Sequence, residues 1–565
     1  MSTANWIQLV VVLGLLFGCA PFLGKMMARV FDGERHLLSF LSPVERWIYR
    51  VTGVRSERSM SWRQYLGALL ALNGLGFLFV WIVLMTQKWL PLNPAGVDNM
   101  SWHLALNTAM SFMTNTNWQA YAGEASASYF SQMAALAVQN FLSAATGIAV
   151  MLAITRGIRN RPAPGAGRAT ARTVGVGNFW VDLTRSTLYV LLPLSLILAT
   201  LLISQGVVQS FHGYVHATTL EGGEQIIPMG PAASQIAIKQ IGTNGGGFFG
   251  ANSAHPFENP TPFSNFLELV AILLVPVALP FTFGRMVKDR SQGRAIFAAM
   301  TVLFAVGLVG ILAAEYGLPS MEGKETRFGV SASALWAQFT TVASNGSVSS
   351  MHDSFSPFGG MIPMVNMMLG EVIFGGVGAG MYGMLVMLFI TVFIAGLMVG
   401  RTPEYMGKKI ETREMQLSVL AAIGQTVSVL FLSAAAIATK TGLSSLANAG
   451  PHGLSEVLYA YASGVGNNGS AFAGLGVNTV FYNVTIAAAM LIGRFIVIVP
   501  VLAMAGTLGA KTPAPASIGT FATNNTTFVV LLVLTILIVT GLNFFPALTL
   551  GPVLEHFLAL RGVVF

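Results

Sequence analysis

Long apolar runs separated by short polar ones dominate the chain. About 20 consecutive apolar residues suffice to cross a bilayer as a helix. Ten runs qualify, near residues 6–24, 65–87, 134–155, 186–208, 265–285, 295–316, 380–400, 416–438, 480–505 and 527–549. The pattern predicts an all-α polytopic membrane protein with ten transmembrane helices. Four shorter segments fall between crossings: Trp102–Met113, Ala232–Ile241, Ala332–Val342 and Ser455–Ser463. At about ten residues, each is too short to span and fits a re-entrant half-helix.

Each half-helix runs into an uncharged polar motif. The clearest is Thr243-Asn244-Gly245-Gly246, inside IGTNGGGFFG. Its echoes are Thr116-Asn117-Trp118-Gln119, Ser344-Asn345-Gly346-Ser347 and Asn467-Asn468-Gly469-Ser470. The repeat is therefore span, half-helix, polar loop, span. Four such membrane–pore–membrane units are flanked by one extra helix at each end. The expected division is 1–63 (first helix and a basic cytoplasmic loop), 64–160, 161–294, 295–413 and 414–510 (pore units 1 to 4), and 511–565 (C-terminal helix).

Composition agrees. Of 565 residues, 54% are hydrophobic and only 9% charged, where soluble domains carry about 25% charge. The net charge of +8 raises a nucleic-acid reading, but the position of the charges argues against it. The loops after spans 1, 3, 5, 7 and 9 hold eight, six, four, four and one of the 30 basic residues, and the opposite side holds six. That asymmetry is the positive-inside pattern and puts both termini outside. All four motifs then lie on the outer side. The first run is not read as a signal peptide, because Met1–Asn5 is uncharged and Lys25 and Arg29 follow the run instead. A single cysteine, Cys19, excludes a disulfide framework within the chain.

Non-helical backbone at membrane depth persists only where it lines protein or water. Backbone carbonyls replace the hydration shell of a dehydrated monovalent cation, and glycine lets successive carbonyls turn to one side. A half-helix ending at such a loop presents its negative dipole end to a cation. The four motifs thus point to one ion-selective pore. The first motif departs most, and Gln119 has two open roles, donating a side-chain oxygen or bracing the loop. A self-sufficient channel or ion-coupled symporter stays open on these features. A membrane-embedded enzyme finds no nucleophile–base pair on facing spans.

At these residues the chain resembles the KdpA family, the potassium-translocating subunits of bacterial Kdp potassium-transporting ATPases. The resemblance rests on TNTNWQAY (114–121), GTNGGGFFGANSAHPFENP (242–260), SNGSVSSMHDSFSP (344–357), GEVIFGGVGAGMYG (370–383), GRTPEYMGKKIE (400–411) and GNNGSAFAGL (466–475). It implies a K+ filter at Thr116, Asn117, Gln119, Thr243, Asn244, Gly245, Gly246, Ser344, Asn345, Gly346, Asn467, Asn468 and Gly469. It implies a pore arginine at Arg494. It also implies a bacterial inner-membrane location and three partners: a P-type ATPase subunit (KdpB) that hydrolyses ATP, a single-span accessory subunit (KdpC) and, in some species, a very small one (KdpF). K+ is the transported ion, and no nucleotide or transition metal is expected on this chain.

Other residues sharpen the picture. Six glycines fall within residues 370–383, each costing roughly 1 kcal/mol against Ala in a helix. A broken helix is expected there, with Gly375, Gly376 and Gly378 forming a gate under the filter. Arg494, inside span 9, is read as a barrier that diverts a cation sideways. Lys239 is expected to snorkel outward. His255, His352 and His452 are read as loop hydrogen bonders.

Overall fold

The structure, a computed structural model, describes residues 3–162, 175–515 and 520–563. Arg168 and Arg172 of the second basic loop lie outside the described residues. Among the described residues ten helices are long and apolar enough to cross a membrane. They are α1 (Thr3–Asp32), α3 (Trp62–Trp89), α5 (Ser131–Arg159), α6 (Phe179–Ser204), α8 (Pro262–Met286), α9 (Arg290–Gly317), α12 (Ala379–Val399), α13 (Thr412–Ile437), α15 (Val480–Gly509) and α16 (Thr526–Ala559). A short helix, α2 (Ser42–Thr52), joins α1 to α3.

The half-helices are α4 (Trp102–Met113), α7 (Ala232–Ile241), α10 (Gly329–Val342) and α14 (Gly450–Val465). The first two match the sequence expectation. α14 starts earlier than expected because Pro451 stands at its first turn, where a missing N–H costs nothing.

Burial sorts the spans into two rings. The span that follows each half-helix is the enclosed one: α5, α8, α12 and α15 are 61–83% buried over their apolar windows, against 28–50% for the other six. The core is therefore made by the returning helix of each unit. α1 braces this ring from outside by lying on α8. A Cβ at Gly24 would stand 2.7 Å from Phe281 Cβ, so glycine sets that approach.

Several helices overrun their apolar stretches, α1 to Asp32 and α16 to Ala559 among them, and the start of the fourth span shows a reason. The fourth span was expected from residue 186 onward, yet α6 begins at Phe179. Its first two turns carry Asp182 and Arg185, which the hydropathy pattern rejects. Both charges are neutralised locally. Asp182 pairs with Arg156 at 2.6 Å and Arg185 with Glu45 at 2.8 Å.

Among the described residues two small antiparallel hairpins lie between helices. β1 (Val215–Thr218) pairs with β2 (Glu224–Ile227) before α7. β3 (Glu404–Tyr405) pairs with β4 (Lys408–Lys409) after α12. The second carries buried Lys408, whose ammonium donates to Gly157 O at 2.8 Å and Leu508 O at 2.7 Å. These carbonyls are at the C-terminal ends of α5 and α15, where a cation complements the helix dipoles.

Between α10 and α12 the expected broken helix is present. α11 (Pro357–Met368) ends, residues 369–378 are non-helical, and α12 starts at Ala379.

Candidate functional site

The four half-helices end in the same way. The backbone N–H of the third residue past each half-helix reaches back five residues: Thr116 to Ser111 O (2.9 Å), Asn244 to Lys239 O (2.8 Å), Asn345 to Thr340 O (2.9 Å) and Asn468 to Ser463 O (2.9 Å). The residue before each has left-handed backbone: Asn115, Thr243, Ser344 and Asn467, with φ of 66, 47, 49 and 50°. This turn re-aims the next carbonyls away from the helix axis.

The equivalence corrects the sequence register of the first unit. Thr116 stands where Asn244, Asn345 and Asn468 stand, not where Thr243 does. The first loop is therefore Asn115-Thr116-Asn117, and Asn117 (φ 54°) takes the place of Gly346 and Gly469 (φ 85 and 99°). Asn115 was missed by pattern matching. The doubled Asn of TNTN carried the ambiguity; the five-residue reach of Thr116 N to Ser111 O, with left-handed Asn115 before it, resolves it.

The loops converge through their backbones. A Cβ at Gly245 would lie 2.6 Å from Thr116 O, 3.1 Å from Asn345 O and 3.2 Å from Asn468 O. At Gly346 it would lie 2.1 Å from Asn468 O, and at Gly469 1.9 Å from Thr116 O. A side chain at any of these glycines would collide with carbonyl oxygens of the neighbouring unit. The glycines thus let the loop backbones of different units approach closely, carbonyl oxygens against glycine.

The side chains brace this arrangement from behind. Asn244 donates to Asn115 Oδ1 (2.7 Å), Asn345 to Gln240 Oε1 (3.1 Å) and Asn468 to Thr340 O (3.0 Å). Asn467 donates to Thr116 Oγ1 (3.0 Å), and Asn117 bonds Asn140. Gln119 accepts from Gly247 N at 2.8 Å and donates to Gly247 O at 3.1 Å. Both polar atoms of the Gln119 amide thus engage the second loop.

Lys239 differs from expectation more sharply. It does not snorkel; it is buried and donates to Gly246 O (2.9 Å) and Glu258 (2.7 Å). The physical reason is the buried carboxylate of Glu258, which also accepts from Phe249 N at 2.8 Å. The sequence offered a signal, since Glu258 sits in the quoted string at 242–260, but nothing in the spacing linked the two.

Beneath the loops lies the 369–378 segment. Gly376 N donates to Ala343 O at 2.7 Å and Val377 N to Thr243 Oγ1 at 2.9 Å. Ser344 Oγ bonds the Glu371 carboxylate. Gly378 has φ 102°, and a Cβ there would stand 2.1 Å from Gly147 O on α5. Gly375 packs against α12 at Gly380. A cavity beside the segment is lined by Gly370, Glu371, Gln425, Asn467 and Arg494. Arg494 is buried and donates to Ser143 O at 3.2 Å. Among the described residues no carboxylate lies within ion-pair distance of it.

The three histidines are hydrogen-bonded, but His452 stands in the first turn of α14 and not in a loop, because the helix starts earlier than expected. His255 accepts from Phe257 N (3.1 Å), His352 meets Tyr459 OH (2.7 Å), and His452 lies between Asp353 (2.9 Å) and Glu555 (2.8 Å).

The family described as potassium-transporting ATPase A subunit, KdpA, matches residues 10–557 of this chain. The chain belongs to the KdpA family. Relatives in this family are close over their whole length. The potassium-transporting ATPase potassium-binding subunit of Pseudomonas aeruginosa is 56% identical, over 98% of this chain and 99% of that protein. The proteins of the same description from Pseudomonas entomophila and Rhodospirillum centenum are 55% and 54% identical, over 98% and 100% of this chain and 99% of each. The crystal structure of the potassium transporter TrkH from Vibrio parahaemolyticus is similar in fold. It has a TM-score of 0.50 at 15% identity, over 88% of this chain and 98% of that one. This KdpA-family chain therefore shares its helical architecture with a protein from which its sequence has diverged widely.

Proposed function

We propose that the chain is the K+-binding and K+-translocating subunit of an ATP-driven uptake complex. The observation that carries this reading is the convergence of backbone carbonyls from equivalent positions of different units, Thr116, Asn345 and Asn468, on the face of Gly245. Neutral oxygens at close quarters replace the water shell of a monovalent cation, whereas a divalent site favours carboxylates. The half-helix C-termini add a field that favours positive charge. Asn115, Thr116, Asn117, Thr243, Asn244, Gly245, Gly246, Ser344, Asn345, Gly346, Asn467, Asn468 and Gly469 form the filter wall, and Gln119 holds the first two loops together.

Below the filter the ion meets the 369–378 segment, with Gly375, Gly376 and Gly378 as its pliant backbone, and the guanidinium of Arg494. Both oppose straight passage. The lateral alternative is supported by the cavities. The one holding Arg494 and Asn467 shares Gly370, Gly383, Gln425 and Val497 with a second. That second cavity extends past Met367, Val386, Ala421 and Phe544, between α12, α13 and α16. The ion leaves sideways toward a P-type ATPase subunit (KdpB), which hydrolyses ATP. A single-span subunit (KdpC) and a very small one (KdpF) complete the complex in the bacterial inner membrane, with both termini of this chain on the periplasmic side.

The test is reconstitution. The chain is expected to co-purify with a P-type ATPase whose hydrolysis rises with K+ and not Na+. Gly245→Asp, which puts a carboxylate into the carbonyl ring, is expected to abolish that discrimination. An unchanged ion ratio contradicts the filter assignment, and failure to co-purify contradicts the complex.

A further inference from the structure

Helix α2 has its polarity inverted. Its protein-facing side is polar, with buried Glu45 accepting from Tyr49 OH (2.8 Å), Tyr189 OH (2.7 Å) and Arg185 Nε (2.8 Å). Its outward side is apolar. Phe40, one residue ahead of the flanking Leu41, and then Val44, Trp47 and Val51 recur at four- and three-residue spacing, the period of one helix face. They are 71%, 42%, 62% and 66% exposed. An exposed apolar row on a helix anchored through its polar side suits a lipid boundary, not water.

Position supports this. α2 joins the end of one span at Asp32 to the start of the next at Trp62, so it lies at the membrane boundary. Arg46 and Arg50 flank the row. Just past the helix a cavity is lined by Thr52, Arg55, Arg58, Gln64, Asn178 and Trp180. Gln64 and Trp180 belong to the first turns of α3 and α6, which sets the cavity at headgroup depth. Its loop is held in shape, because Asn178 donates to both Arg55 O and Arg58 O at 3.1 Å. Among the described residues Arg46, Arg50, Arg55 and Arg58 form no ion pair.

We propose that α2 and this cavity form a binding site for an anionic phospholipid of the arginine-rich leaflet. The acyl chains lie along Phe40, Val44, Trp47 and Val51. The phosphate sits between Arg55 and Arg58, two exposed arginines that line the cavity without a carboxylate partner. Trp47 and Trp180 take the depth where indoles collect. A protein partner is the less favoured occupant, since one apolar row bordered by unpaired arginines fits single acyl chains and phosphates better than a packed protein face.

Native mass spectrometry of the purified full chain tests this, with phosphatidylglycerol or phosphatidylcholine added at equal concentration. Phosphatidylglycerol is expected to be retained preferentially. Arg55→Gln/Arg58→Gln is expected to weaken its retention by about fivefold per arginine, while Arg401→Gln, at a distant loop, leaves it unchanged. Trp47→Ser/Val51→Ser is expected to reduce retention of both lipids, with circular dichroism and thermal unfolding showing that each variant is folded. Equal retention of the two lipids by the native chain, or no effect of the Arg55/Arg58 pair, overturns the proposal. Displacement by glycerophosphoglycerol, which lacks acyl chains, reduces the site to a phosphate pocket and also overturns it. Loss of a co-purifying ATPase subunit from Trp47→Ser/Val51→Ser with lipid retention intact makes the face a subunit interface and overturns it equally.

Discussion

The ammonium of Lys239 lies 2.7 Å from a Glu258 oxygen and 2.9 Å from the carbonyl oxygen of Gly246, with both side chains buried. This pair makes the second unit unlike the others, because one of its loop carbonyls is held by a fixed positive charge. Removing one partner of a buried pair costs about 3–5 kcal/mol. Lys239→Met is expected to lower the unfolding temperature and to shift K+ affinity. Lys239→Met/Glu258→Leu is expected to recover stability without recovering ion affinity, because Gly246 O stays unheld. Thermal unfolding and K+ titration of ATPase stimulation, run on both variants, check this. Affinity that returns with stability would mean the pair only supports folding.

Gln119 spans the first and second loops through Gly247. Gln119→Arg breaks the accepting half of that contact and adds a cation near the carbonyl ring. Two unit charges about 4 Å apart at an effective dielectric of 20 repel by about 4 kcal/mol. K+ affinity is expected to fall by at least tenfold in the reconstituted complex. An unchanged K+ dependence of ATPase stimulation would remove Gln119 from the account.

Gly378 has left-handed backbone against Gly147 O. Gly378→Ala adds strain and a clash, so the 369–378 segment must move. Filter residues keep the hydrogen bonds they make to one another, such as Asn244 to Asn115 and Asn467 to Thr116, while those that tie Thr243 and Ser344 to the segment loosen. Turnover is therefore expected to drop several-fold while apparent K+ affinity changes by less than threefold. A fall in affinity with turnover intact would place the segment's role in the filter itself.

His452 ties the fourth half-helix to Asp353 and to Glu555 on α16, with Glu456 one turn along α14. Burial opposes its charge, but the hydrogen bonds to Asp353 and Glu555 outweigh burial and push its pKa from 6.5 up to about 10. A raised histidine pKa stabilises the fold fully below about pH 6.5, and that contribution is lost as pH rises toward 10. The unfolding temperature is expected to decline across this window. His452→Gln should unfold lower at pH 6.5 and show a flatter profile. A native profile as flat as the variant's would refute the clamp.

The ten spans and four half-helices were legible because both depend on local apolar length. The start of α6 was not, since Asp182 and Arg185 are made tolerable only by Arg156 and Glu45, which are distant in sequence. The motifs were legible as Asn- and Gly-bearing loops. Their register in the first unit was not, because it depends on which residue turns left-handed after the half-helix, and that residue is Asn115. Lys239 misled for the same reason as α6: a charge reads as exposed until its buried partner, Glu258, is known. The break after α11 was legible because glycine density is itself local.

Ion density in the assembled complex tests the central claim most directly. With thallium replacing K+, anomalous scattering is expected to place a monovalent ion among the carbonyl oxygens of Thr116, Asn244, Asn345 and Asn468, above the 369–378 segment. An active complex whose thallium binds elsewhere, with this ring empty, would contradict the account.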